Sequence, residues 1–227
     1  MKMEGNLPNQ PFRLRDCALA AIATGERAHN LRELRDMIMD IHPGSIYYHF
    51  WGGLLRPRYE DREYNNDFAI WSDMPHGLHD DALAERLGVI DPTDYESLDD
   101  LRYAVAEVMS QRLDESEKMR LLHADRPFQF IRSQIVVFDT GLTITEPRQL
   151  ADAAPKLSPS SYFFHVIDAR RRTPDATDDF RAWIGCYGEG YGDLCRRLAE
   201  VDPYFSSLTD LKHTLVELFT EFFKGGA

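Results

Sequence analysis

The sequence predicts an α+β protein, mainly α, made of two tandem pseudo-symmetric repeats, each a β-hairpin followed by several helices. Three observations carry that expectation. Ser45-Ile46-Tyr47-Tyr48-His49-Phe50-Trp51, followed by Asp67-Phe68-Ala69-Ile70-Trp71, recurs as Ser161-Tyr162-Phe163-Phe164-His165-Val166 and Asp179-Phe180-Arg181-Ala182-Trp183. Ahead of each recurrence lies a short apolar run ending in Thr-Gly, a strand-and-turn signal. Behind each lie apolar residues at helical spacing.

The recurrence keeps its order along the chain. Adding 116 to Pro11, Phe12, Thr24, Gly25, Arg32, Leu34, Asp36, Pro43, Ser45 and His49 lands on Pro127, Phe128, Thr140, Gly141, Arg148, Leu150, Asp152, Pro159, Ser161 and His165. The offset drops to 112 at Asp67/Asp179 and Trp71/Trp183, to 111 at Leu83/Leu194, and to 110 at Leu101/Leu211, each drop in a polar segment. Chance similarity does not hold register this way. The expected organisation is a disordered N-terminus (1–10), copy one (11–113), a charged linker (114–126), copy two (127–224) and a tail (225–227).

Each element has a local reason. Ile135-Val136-Val137-Phe138 is β-branched and aromatic, Asp139-Thr140-Gly141 reads as a turn, and Leu142 to Thr145 as the return strand of a hairpin. Ala18 to Gly25 is alanine-rich, and only its match to copy two draws it toward strand. Leu31, Leu34, Ile38 and Ile41 then share a helical face behind Asn30, a good N-cap, and Pro147 opens the equivalent helix. The signature stretch reads as helix, with Ile46, His49, Phe50 and Leu54 on one face and Tyr162, His165 and Val166 on the other copy's. Asp67 and Asp179 are the expected N-caps of short helices carrying Phe68/Trp71 and Phe180/Trp183. Leu83 and Leu87, or Leu194 and Leu198, mark a further helix that stops before an Asp-Pro pair. Ser97 and Ser207 begin the last helices in capping-box form, with Leu101, Val105 and Val108, or Leu211, Leu215 and Leu218, facing the core.

Composition narrows the function classes. At 227 residues, 43% hydrophobic and 11% aromatic, the chain can bury a normal core. Its net charge of −12 has the wrong sign for a protein that holds a phosphate backbone or an anionic membrane surface. No stretch has the apolar core of a signal peptide or the length of a membrane span, so a cytoplasmic location is expected. Cys17, Cys186 and Cys195 are odd in number and lack Cys-x-x-Cys spacing, which points to reduced, mostly buried thiols.

The order Phe12, Gly25, Leu31-x-x-Leu34, Tyr48-His49, Asn66-Asp67-Phe68-x-x-Trp71 and Leu83-Ala84-x-x-Leu87 resembles a small domain of unknown function found in bacterial and archaeal proteins. Copy two repeats it as Phe128, Gly141, Leu150, Phe164-His165, Asp178-Asp179-Phe180-x-x-Trp183 and Leu194-x-x-x-Leu198. The resemblance implies a family and no particular chemistry.

Three groups are candidate sites, and none is assigned a catalytic role. The first is His49 with Asp67 and Trp71, repeated as His165 with Asp179 and Trp183. A histidine beside a carboxylate can move protons or orient a ligand, or it can lock two elements together. The tryptophans read as core anchors. The second is His76 and His79 beside Asp80, a possible divalent-metal site. With His49 upstream, its order is similar to the His…His-Asp…Asp series of the HD-domain phosphohydrolases, a helical metal-dependent superfamily. Tyr187 and Gly190 stand at the corresponding places in copy two. The third is Arg170-Arg171-Arg172, a run able to receive a phosphate or an acidic partner, or to complement a helix end. The expectation is a non-catalytic interaction or small-ligand-binding module without a cofactor; the alternatives are a metal-dependent hydrolase and an adaptor for an acidic or phosphorylated partner.

Overall fold

The computed structural model describes residues 10–55, 63–173, 175–205 and 207–225. Residues 1–9 of the expected disordered N-terminus, residues 56–62 of the loop after the first signature, and residues 226–227 of the tail lie outside them. The protein is α+β and mainly helical, as expected. Strands β1 (Phe12–Ala28) and β2 (Phe128–Ile144) form a two-stranded sheet. The Thr24 hydroxyl donates to the Phe130 carbonyl at 2.7 Å, and the Thr140 hydroxyl donates to the Leu14 carbonyl, so the strands run antiparallel.

The two hairpins expected from the sequence are therefore two single, long strands. The Thr-Gly pairs do not turn the chain. Gly25 and Gly141 have φ of 84° and 73°, a left-handed conformation that glycine adopts without strain. At each, the preceding threonine hydroxyl bridges the ladder and also accepts the amide two residues on, Glu26 N–H at 3.1 Å and Leu142 N–H at 3.2 Å. A glycine held in that way makes a bulge inside a strand.

The chain forms two compact units, Leu19–Gln134 and the pair of segments Met1–Ala18 with Ile135–Ala227. These differ from the copies read in the sequence, because each strand starts in one unit and finishes in the other. The unit Leu19–Gln134 holds α1 (Leu31–Asp40), α2 (Pro43–Trp51), α3 (Asp67–Asp73), α4 (Asp81–Gly88), α5 (Leu98–Glu115) and α6 (Glu117–Leu121). Asn30 caps α1 through the Glu33 amide at 2.8 Å, Asp80 caps α4 through Leu83, and Ser97 caps α5 through Asp100. Such caps contribute about 1 kcal/mol each.

Three expectations change in this unit. Helix α2 buries every residue from Ser45 to Trp51, so its histidine is surrounded and has no polar face behind it. On α5 the buried stripe is Leu101, Val105 and Met109, with Val108 half-exposed. The charged segment 114–126 is also more than a linker: it contains α6, buries Met119 and Ala124, and bonds the Ala124 amide to the His29 carbonyl at 2.7 Å.

The other unit holds α7 (Leu150–Ala153), α8 (Pro159–Tyr162), α9 (Asp179–Ile184), α10 (Gly192–Ala199) and α11 (Leu208–Lys224). Helix α8 runs on as a π-helical turn, Phe163–Ile167, and a 3-10 turn, Asp168–Arg171. Ser207 caps α11 as expected, and Leu211, Leu215 and Leu218 are buried.

Candidate functional site

His49 sits in the last turn of α2 and is 3% exposed. Its Nδ1 lies 2.9 Å from Asp67 Oδ2, and its Nε2 accepts the backbone N–H of Ile131 on β2 at 3.2 Å. A backbone amide can only donate, so Nε2 carries no proton and Nδ1–H donates to the carboxylate. Phe68, Phe128 and Phe130 surround the ring at centroid distances of 5.3, 4.7 and 6.0 Å.

The carboxylate is available because it is not the cap. Asn66, not Asp67, caps α3: its side chain accepts the Ala69 amide at 2.8 Å and donates to the Leu87 carbonyl at 2.9 Å. Asp67, the first helical residue, then points its carboxylate at His49. One turn later the Trp71 indole N–H donates to the Arg126 carbonyl at 2.8 Å, and its ring packs edge-on against Phe128. Helices α2 and α3 thus hold the start of β2 by two main-chain hydrogen bonds and a group of aromatic rings.

The same arrangement occurs around His165, which is 2% exposed. Nδ1 lies 2.8 Å from Asp179 Oδ2, and Nε2 accepts the Arg15 N–H of β1 at 2.9 Å. Asp178 caps α9 through the Arg181 amide at 2.8 Å, again displacing the expected cap by one residue. The Trp183 indole donates to the Gln10 carbonyl at 2.9 Å and stacks on Phe12 at 5.1 Å.

Arg172 adds a brace on this side. Its guanidinium bonds Asp168 at 2.9 Å, Asp179 at 3.0 Å and the Phe164 carbonyl at 2.8 Å, and lies 4.0 Å above the Phe164 ring. The arginine run is therefore not one surface fork. Arg172 is turned inward, Arg170 is half-buried, and Arg171 is exposed.

The four residues of the metal reading are not brought together. His49 is sealed in its core; His76 is exposed, 3.7 Å from an exposed Asp125; and Asp80 caps α4 while pairing with Arg112 at 2.8 Å. His79 is exposed, with a left-handed φ of 50°. Among the described residues, no group of three or more His, Cys, Asp or Glu side chains is placed to hold a metal ion.

Cys17 is buried beside this second core and donates to the Ser160 carbonyl at 3.4 Å. Burial first, and then Asp168 and Asp16, push its thiol up to about 12, well away from a nucleophile. Cys186 and Cys195 are half-buried, so only one of the three thiols fits the buried expectation fully. Among the described residues, one cleft of about 520 Å³ is lined by Arg197, Glu200, Asp202, Glu217 and Glu221, and another of about 360 Å³ by His79, Asp81, Arg112 and Lys118. None of His49, Asp67, His165 and Asp179 lines either.

Sequence reasoning finds the His–Asp partners and misses what the second ring nitrogen does. The caps were within reach, since Asn66 and Asp178 each stand one residue before the helix, with an amide three positions on. Arg172 gives no signal that separates it from its neighbours.

The fold is that of a mainly helical α+β chain with a two-stranded antiparallel sheet, in which two buried histidines tie helices to strand amides. The chain belongs to a family of unknown function, DUF5752, whose model matches residues 9–220 in one span that takes in both halves. It is similar to OrfY from Thermoproteus tenax, with a TM-score of 0.79 and 25% sequence identity over 95% of this chain and 97% of that one. No curated protein matches.

Proposed function

We propose that this chain is a non-catalytic binding module that arose by internal duplication, with copies at residues 11–113 and 127–224. The observation that carries the reading is the full commitment of both signature histidines. Each ring, buried to a few per cent, gives one nitrogen to a carboxylate and the other to a strand amide, at 2.8 to 3.2 Å. A general acid or base needs a nitrogen that reaches a substrate proton. These rings have both nitrogens in use, and their neighbours are aromatic side chains. Their work is to satisfy main-chain donors on the outer edges of the strands.

The duplication reading is supported by matched geometry. Histidine to aspartate, histidine to amide, tryptophan to carbonyl and threonine to carbonyl each occur twice, at positions related by the offsets in the sequence. The reading includes a cytoplasmic location, no resident metal or cofactor, and a protein or small molecule as the partner. His79 and Asp80 enter it as a loop residue and a helix cap, and Arg172 as an internal brace.

The test is elemental analysis of protein purified without an affinity tag, together with thermal unfolding of His49→Ala and His165→Ala. Absence of stoichiometric metal, with both variants melting well below the parent, is the expected outcome. Near-stoichiometric zinc, manganese or iron that disappears in His79→Ala overturns the reading.

A further inference from the structure

Signature histidines cover only part of each strand's outer edge. Among the described residues each strand has a single neighbour, so each has one edge that the sheet leaves unpaired. His49 takes the outward amide of Ile131, and the Ser133 hydroxyl bonds the Gly44 carbonyl of α2 at 3.2 Å. In an antiparallel strand, outward groups recur at every second residue. Ile135 and Val137 are next in that series, and among the described residues no helix cap or side-chain bond reaches either. Around them Val136, Val137 and Phe138 are 43%, 41% and 49% exposed, so side chains on both faces of the strand meet solvent here.

We propose that this edge, Ile135 to Val137, pairs with the same edge of a second copy of the chain. The inference rests on the reading of the protein as a binding module and names its partner. Three features favour a second copy. First, an antiparallel strand pairs with itself about a two-fold axis: an axis at Val136 sets Ile135 opposite Val137 of the other copy, and each supplies the donor and acceptor the other lacks. Two ribbons then join into one four-stranded sheet, past the three strands below which a sheet is marginal on its own.

Second, charge picks this place out. The chain carries −12, so two copies repel over most of their surface. On the strands, Arg13, Arg15, Arg27 and Arg132 outnumber Asp16, Glu26 and Asp139 by one, and Ser133 to Phe138 is uncharged. Identical acidic chains meet here with the least repulsion. Third, the edge carries none of the usual protections. Lysine, proline and inward-pointing charge blunt open edges in monomeric proteins, and none occurs between Ser133 and Phe138.

Sedimentation of the full chain across the micromolar range tests the pairing, with Val137→Lys and Val137→Pro as variants. Val137→Pro removes the outward donor and no bond of the ladder. A doubling of mass in the parent, lost in both variants while the far-ultraviolet circular dichroism is kept, is the expected result. Where a variant unfolds, hydrogen exchange of the parent decides: the Ile135 and Val137 amides exchange more slowly as concentration rises. A parent that stays monomeric, a dimer that survives both substitutions, exchange independent of concentration, or a copurified peptide on the edge overturns the proposal. Bound metal would overturn the non-catalytic reading and leave the pairing standing; a monomer would do the reverse.

Discussion

Nε2 of His49 accepts the main-chain N–H of Ile131, 82 residues away, while Nδ1 holds Asp67. The ring is a connector between a helix and the edge of a strand. His165 does the same for Arg15 across 150 residues.

Removing either ring leaves a half-buried strand amide without its acceptor and opens a cavity among aromatic side chains. His49→Ala and His165→Ala are each expected to lower the unfolding free energy by about 3 kcal/mol. Urea titration of the two variants checks this, and a loss under about 1 kcal/mol would contradict the connector role.

The tryptophans separate packing from hydrogen bonding. Trp71→Phe and Trp183→Phe keep an aromatic ring but lose the donor to Arg126 and Gln10. A loss of about 1 kcal/mol each is expected by the same titration, with more for the alanine variants.

Ser45 and Ser161 occupy matching places with opposite circumstances. The Ser161 hydroxyl is 3.1 Å from that of Ser158, whereas the Ser45 hydroxyl is fully buried with no partner among the described residues. A buried polar group without a partner costs stability, so Ser45→Ala is expected to raise the melting temperature and Ser161→Ala to lower it. Paired calorimetric scans give the signs.

Alkaline pH should loosen the unit that contains Cys17. Its thiol is pushed from an ordinary 9.0 to about 12, and burial alone pushes the Tyr162 hydroxyl upward. In each case the folded state favours the protonated form. That contribution is whole below the unfolded value, erodes as pH rises past 9, and for Cys17 is gone at about 12. Melting temperature against pH should fall above 9, and less steeply in Cys17→Ala.

The helices and their caps are legible in the sequence because 3.6-residue periodicity and Asn, Ser or Asp at a helix start are local signals. Asn30, Ser97 and Ser207 all perform as their positions suggest. The strands are not legible at full length, because Thr24-Gly25 and Thr140-Gly141 have the composition of a turn. Their role inside a strand depends on carbonyls of Phe130 and Leu14, more than a hundred residues away. The His–Asp pairs can be read because both partners are side chains that recur together. The other half of each site cannot, since Ile131 and Arg15 contribute main-chain amides that any residue but proline would supply. Arg172 differs from Arg171 only in which way its backbone position points it.

The strands that begin in one compact unit and end in the other also set a timetable for synthesis. Leu19–Gln134 is continuous, so its core is complete once β2 has emerged from the ribosome as far as Phe130. Phe12, by contrast, is made first and must wait for His165, Phe180 and Trp183, the rings it packs against. A break in the chain at 114–126 would give two fragments, each lacking aromatic residues that fill its own core. One would be without Phe128 and Phe130, the other without Phe12. Neither half is then a free-standing product of translation, and a gene divided at that point would yield working protein only where both pieces are made together.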